Sequence, residues 1–403
     1  MRNFGTAAMC IGLLLAAGGA RAGERRKLNP RLVNLQPNRW LLLHEQKAGE
    51  AVVFRRQAHG GSCFDTKRGR LILFGSDTHG RNWMNSPRSF DPVTATWSRA
   101  YPDDARETYR VDANGLPVAG ARGDHPWAMH TFGGVLYDSA RDEMVVVTHP
   151  GHMVPGRFTN AVRGLWKKIK RHPTWTCRLA QGRWAPLACK AVSFFPYAAA
   201  FDTDRNVVIG YRPDGVYELA GKPRAWKKVT GPGLFGWHNH CAYDSKHKAL
   251  VVFGTNQLSS DVVVYRPATR EHRKMPTPHR RPPADQHAPM AFDPQAGRTV
   301  VIVDRVLAPP GATKDQKQKA KRQAEVWLYD LGADAWEPVP TATLPFGCDM
   351  NYNLAYDPHH RVLLLVTGTY GRPTAVRALR VRPSAAARGG ARAERLESAG
   401  PRH

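Results

Sequence analysis

Acidic residues are scarce in this chain: 33 Asp and Glu stand against 59 Lys and Arg, a formal net charge of +26 over 403 residues. No compact Arg/Lys motif with interleaved aromatics accompanies that excess, so the basicity comes without a nucleic-acid-binding signature. Cysteine is sparse as well, six in all, which excludes a disulfide-built scaffold. Beyond the first two dozen residues no apolar run approaches the length of a membrane-spanning helix.

The start of the chain reads MRNFGTAAMCIGLLLAAGGARAGERR. Arg2 supplies a positive n-region, Thr6 to Ala17 a short apolar stretch, and Ala20-Arg21-Ala22 an A-x-A cleavage site. That pattern predicts a cleaved export signal over 1–22 and a periplasmic or extracellular protein. Cys10 lies inside the apolar stretch, which argues against a lipoprotein anchor. Cleavage leaves Cys63, Cys177, Cys189, Cys241 and Cys348. Cys177 and Cys189 flank the hairpin-like CRLAQGRWAPLAC and are the candidates for a disulfide, with two buried free thiols as the alternative.

Part of the positive charge sits in KDQKQKAKRQ (Lys314 to Gln323) and in the Arg/Ala/Gly-rich tail from Arg382. The tail has no apolar periodicity and is expected to be disordered. A basic exported protein suits an anionic glycan or another cell-envelope component; a compositional habit that aids solubility is the plain alternative.

Repeats organise what remains. Six segments share one grammar, beginning at His59, Phe132, Pro196, His238, His287 and Asn351. Each is a short strand ending in an aromatic-Asp pair, then a polar turn, then a Val/Ile/Leu-rich strand, which is a hairpin signal with the Asp opening the turn. The turn aspartates are Asp65, Asp138, Asp202, Asp244, Asp293 and Asp357, recurring on average every 58 residues or so. The second half of each unit repeats too, as strand, turn, and a strand opening with Trp: SFDPVTATWSRA from Ser89, TWTCRLAQGRWAPLA from Thr174, GVYELAGKPRAWKKV from Gly215 and VWLYDLGADAWEPVP from Val326. VVVYRPATREHRKMP from Val262 fits with its Trp missing.

Four strands per unit at this period resemble the kelch-repeat, galactose-oxidase-like β-propeller family, over roughly Trp40 to Pro383. The family's double glycine is reduced here to Phe74-Gly75, Phe253-Gly254 and a lone Gly368. The resemblance implies an all-β, six-bladed kelch-like propeller over 38–383, after an extension at 23–37 and before a tail at 384–403. The sixth unit lacks its Trp strand, and NRWLLLHEQ (Asn38 to Gln46) has the right form to complete it. An N-terminal strand closing the last blade would remove the exposed sheet edges.

On such a scaffold the starts of the innermost strands lie around the mouth of a central channel. Counting back six from each turn Asp gives His59, His238, His287 and Asn351 among the six positions. His240, Tyr352 and Asn353 follow on the same strands, and His130 lies two residues before Phe132. Long insertions on the same face bring Trp83, Trp127, His79, His125, His149 and His152 nearby. The expected site therefore has His59, His238 and His287 as acid/base residues. His240, Asn351, Asn353, Tyr352, His130, Trp83, Trp127 and His149 are the binding residues, with the two Trp stacking a substrate. Neutral imidazoles from separate strands also suit one divalent transition metal, with His59, His238, His240 and His287 as its ligands; hydrogen bonding to water and carbonyls is the plain alternative for each.

Three enzyme classes use related scaffolds. The Tyr-His pair of copper radical oxidases has no match, since neither Tyr197 nor Tyr352 is followed by His. Polysaccharide lyases acting on uronic acids fit the charge, and a sugar mutarotase fits the scaffold. A non-catalytic platform binding protein or glycan uses the same face and remains the competing class.

Overall fold

The computed structural model describes residues 27–47, 59–76, 82–155, 162–194, 198–231, 233, 238–254, 259–277, 280–285, 288–347, 352–369 and 372–384. The expected export signal, Cys348, His79, Tyr197, His287, Asn351 and the tail beyond Ser384 lie outside these residues.

The described chain is all-β. Six four-stranded antiparallel sheets follow one another along it. Sheet one is Gly61–Asp65, Arg70–Phe74, Arg88–Asp91 and Thr96–Arg99, and sheet two is Val135–Asp138, Glu143–Val146, Trp175–Arg178 and Arg183–Pro186. Sheets three and four begin at Ala198–Asp202 and His240–Asp244, and sheet five at Met290–Asp293. Sheet six contains Tyr352–Asp357, Val362–Thr369 and Arg372–Leu379, and its outer strand is Trp40–Glu45, whose Trp40 pairs with Leu379. Each first strand lies against the first strands of the two neighbouring sheets, and that of sheet six lies against that of sheet one. The result is a closed, propeller-like ring.

The turn aspartates explain why six divergent segments fold alike. Asp65, Asp138, Asp202, Asp244, Asp293 and Asp357 are each buried at the end of a first strand. Their Oδ1 atoms accept backbone N–H bonds from the turn, as in Asp65 with Lys67 and Arg68, or Asp357 with His359 and His360. Each loop spans four residues, and the fourth has a positive φ: Gly69, Asp142, Asn206, Lys248, Gly297 and Arg361, at 51° to 69°. Four-residue hairpin loops are most often built around a type I turn, and here the loop closes through a left-handed residue. Five of the six aspartates add a side-chain pair with the residue three further on: Arg68, Arg141, Arg205, His247 and His360.

No single core fills the molecule. The apolar side chains form six wedges, one between each pair of adjacent sheets. The fourth-strand Trp residues stiffen these wedges; Trp184 packs on Phe74 of the preceding sheet and Trp336 on Phe253. In sheet four His272 takes the missing Trp position and packs edge-on against Tyr211.

The insertion before sheet two forms a small three-stranded sheet of its own, Arg110–Val111, Pro117–Ala119 and His125–Pro126. That sheet corrects one expectation. Trp127 is fully buried in the insertion's core and donates its indole N–H to the carbonyls of Val118 and Arg110, so it offers no face to a substrate. The Cys177–Cys189 pairing is corrected as well: both thiols are free. Across the hairpin Cys177 lies opposite Trp184, and Cys189 lies beyond the last paired residue, Pro186.

Candidate functional site

The six first strands surround a central channel with a cavity of about 370 Å³. It runs from Gly60, Gly133, His240, Pro289 and Asn353 at one end to Thr66, Ser139, Thr203, Ser245 and Pro358 at the hairpin end. Among the described residues none that lines it is Lys, Arg, Asp or Glu. The residues preceding the turn aspartates contribute an aromatic from every sheet: Phe64, Tyr137, Phe201, Tyr243, Phe292 and Tyr356. Cys63 and Cys241 also line it, and burial pushes both thiols up, so neither is a thiolate at neutral pH.

At the mouth, backbone conformation repeats with the sequence. His59, Phe132 and His238, equivalent positions six before their aspartates, have φ of 56°, 41° and 66°. Left-handed backbone at a non-glycine residue costs about 1–3 kcal/mol, and histidine tolerates it better than most side chains. The strain therefore recurs at the three of these equivalent positions that lie within the described residues.

The expected site residues separate into groups. His59 stacks on His130 with ring centroids 4.4 Å apart and planes 12° from parallel, and both rings meet Phe132 edge-on. His240 lies over Gly133 of sheet two; a Cβ there would stand 3.6 Å from its Nδ1. Burial lowers the His240 pKa to about 4, with His238 adding to the effect, so its imidazole is neutral at physiological pH. Asn353 and Tyr352 line the channel beside these rings and are almost fully buried. Of these, His240 and Asn353 offer imidazole and amide to the cavity, whereas the Tyr352 ring packs into the wedge between sheets five and six and its hydroxyl donates to the Ile302 carbonyl.

Other expectations fall elsewhere. Trp83 is half-buried, meets Tyr109 edge-on, and has the Arg106 guanidinium over its ring at 4.7 Å, so that face is covered. His125 is bonded to Asp104 at 2.8 Å and stacked on Tyr101, a staple for the insertion. His149 is absent from the channel lining and lines a separate cavity with His172. Among the described residues no three His, Cys, Asp or Glu side chains gather as metal ligands. A metal at the mouth would therefore need at least one ligand outside the described residues, where His287 lies. Sequence reasoning missed Gly133 and the aromatic collar; the collar's signal was present in the aromatic-Asp pairs, read there only as turn markers. It also missed His172, which belongs to no repeat.

No family model and no curated protein matches the chain. Among solved structures, hydrazine synthase from Kuenenia stuttgartiensis aligns with a TM-score of 0.46 at 10% sequence identity, covering 84% of this chain and 92% of that chain. No helix of the described residues is long and apolar enough to cross a membrane.

Proposed function

We propose that this chain is an exported, six-bladed kelch-like β-propeller that binds carbohydrate at the histidine-lined mouth of its channel. The observation that carries the reading is the mouth itself: His240 and Asn353, from different sheets, line a cavity of ligand-site size with aromatic walls, and the stacked His59 and His130 rings stand where the first two sheets begin. Imidazole and amide groups exchange hydrogen bonds with hydroxyls, and aromatic faces pack against the C–H faces of a sugar ring. Six four-stranded sheets with wedge-shaped cores between them support the blade count.

The lining also limits the ligand. An acid group inside the channel would meet no cation among the described residues and would lose its hydration uncompensated. The acidic glycan favoured by the +26 charge therefore enters the channel by a neutral portion, with its carboxylates left on the basic outer surface. The same point favours a binding platform over a uronate lyase. Proton abstraction beside a carboxylate needs a group that neutralises that carboxylate, and none lines the channel among the described residues.

Titration with neutral and with uronate oligosaccharides, read at the histidine NMR signals, tests the proposal. Saturable shifts at His59, His238 and His240, weakened about tenfold or more by His240→Ala, are the expected result. Absence of saturable binding in both series overturns it.

A further inference from the structure

A second cavity, about 560 Å³, opens on the mouth side of sheet two, between the loop after Val146, the loop before Trp175 and the link to sheet three. His149 and His172 face each other in it with ring centroids 4.8 Å apart. Arg171 and Lys190 line it, as do the hydroxyls of Thr148, Thr174 and Ser193 and the free thiol of Cys189. Among the described residues its lining contains no carboxylate.

Three features are unusual for a passive crevice. Arg171 and Lys190 have no acidic partner among the described residues, unlike Arg68, Arg205 and Arg305, which are each paired with a carboxylate. His172 Nδ1 is shielded from solvent and bonds to no protein atom among the described residues, a state that ordinarily signals a ligand or water. Behind the wall, Arg212 donates to the Ser193 carbonyl and to Asp214, which holds a further cation near His149.

We infer that this pocket is an oxyanion-binding subsite, taking a carboxylate or phosphate group carried on a small polar or sugar body. Arg171 and Lys190 meet the charge at the rim, and the imidazoles supply N–H donors deeper in. Charge-assisted hydrogen bonds of this kind are the stronger ones, and a wall without carboxylates adds no repulsion. The subsite is separate from the channel mouth and stands whether or not the mouth binds sugar.

The histidines give the site a pH signature. Burial lowers the pKa of both, His172 to about 4, with His149 adding to the shift of His172 and Arg212 to that of His149. The groups facing them are Arg171, Lys190, the Cys189 thiol and the Arg212–Asp214 pair. An oxyanion beside these rings favours their imidazolium forms, so binding takes up protons and tightens as pH falls.

The test uses the full mature chain, titrated separately with inorganic phosphate and with glucuronate at about pH 5.5 and about pH 7.5, and followed at the histidine signals. Saturable shifts at His149 and His172, leaving the His240 signal unmoved and tighter at the lower pH, are expected. Arg171→Glu with Lys190→Glu should weaken binding about tenfold or more. Lys227→Glu with Lys228→Glu, an equal charge change on the exposed outer strand of sheet three, should leave it within about twofold. His172→Phe keeps the ring and should reduce the pH dependence of glucuronate binding, leaving the part that His149 contributes. Binding of one probe alone identifies the oxyanion source and sustains the inference. Failure of both probes, or equal weakening by the two charge reversals, overturns it.

Discussion

Replacing Asp202 by Ala probes the turn chemistry on which the whole repeat rests. Asp202 is fully buried, and its Oδ1 accepts the backbone N–H of Asp204 and of Arg205 at 3.0 and 3.1 Å. Its Oδ2 receives the Arg205 Nε at 2.6 Å, while the other end of that guanidinium holds Glu218. Alanine removes all three bonds. The two turn N–H groups lie in an exposed loop and regain water, so their loss resembles that of a helix cap, about 1 kcal/mol. The arginine bond is charge-assisted, but Arg205 is 37% exposed and keeps Glu218, so solvent screening reduces its share to about 1 kcal/mol. Asn206 must also hold its left-handed conformation, φ 56°, without the cap, which brings the total to about 2–3 kcal/mol. Asp202→Asn keeps an acceptor at Oδ1 and loses mainly the ion pair, about 1 kcal/mol. Urea unfolding followed by tryptophan fluorescence measures both. If Asp202→Ala lies within about 0.5 kcal/mol of the parent, or if the Asn variant is as damaging as Ala, the capping account is wrong.

Asp293 is the aspartate without a cation three residues on, and burial raises its pKa. The folded state therefore binds its proton more tightly than the unfolded state does. Its contribution is favourable below the unfolded value and is lost as pH rises through the raised one. Asp293→Asn should stabilise the protein at neutral pH, a gain that shrinks below about pH 4 in melts across pH. Gly210→Ala should cost about 1–3 kcal/mol, because its Cβ would lie 2.0 Å from the buried Phe194 ring; an unchanged urea midpoint contradicts this. Deleting 38–46 removes the outer strand of sheet six, and calorimetry should then show loss of the cooperative transition, whereas an unaltered melt refutes ring closure by that strand.

Much of the fold was legible because one residue type does one job six times. The aspartate is needed wherever a first strand turns, so its register survives when the surrounding residues diverge. The left-handed residue four places on was harder to see. Glycine fills it twice, and Asp142, Asn206, Lys248 and Arg361 fill the rest, because the turn's bonds supply enough stability to tolerate a side chain there. The mouth was half legible. His59 and His240 follow from strand register, but stacking partners depend on which neighbouring loop is closest. The insertions were the least predictable. Trp127 and His125 were assigned to a binding face because they sit in a long loop, yet that loop builds its own small sheet and uses them as core and staple. Cys177 and Cys189 failed as a pair because the strand pairing ends before it reaches Cys189.

The closing strand also determines how the molecule responds to force. Trp40–Glu45 runs antiparallel to Arg372–Leu379, so Trp40, nearest the N-terminus, sits beside Leu379, nearest the C-terminus. Tension applied through the two ends would load the ladder from that edge and break its bonds one at a time, as in opening a zip, since they lie across the strands. The structure places its fastenings at this edge. Asn38 donates its backbone N–H to the Arg380 carbonyl and exchanges side-chain bonds with the backbone of Arg382. The Arg380 guanidinium grips the carbonyls of Leu32, Val33 and Leu35. Asn29 is held to Pro92 of sheet one and to His360 of sheet six. A pull on the termini must therefore break this polar clasp before the first ladder bond of the ring is loaded.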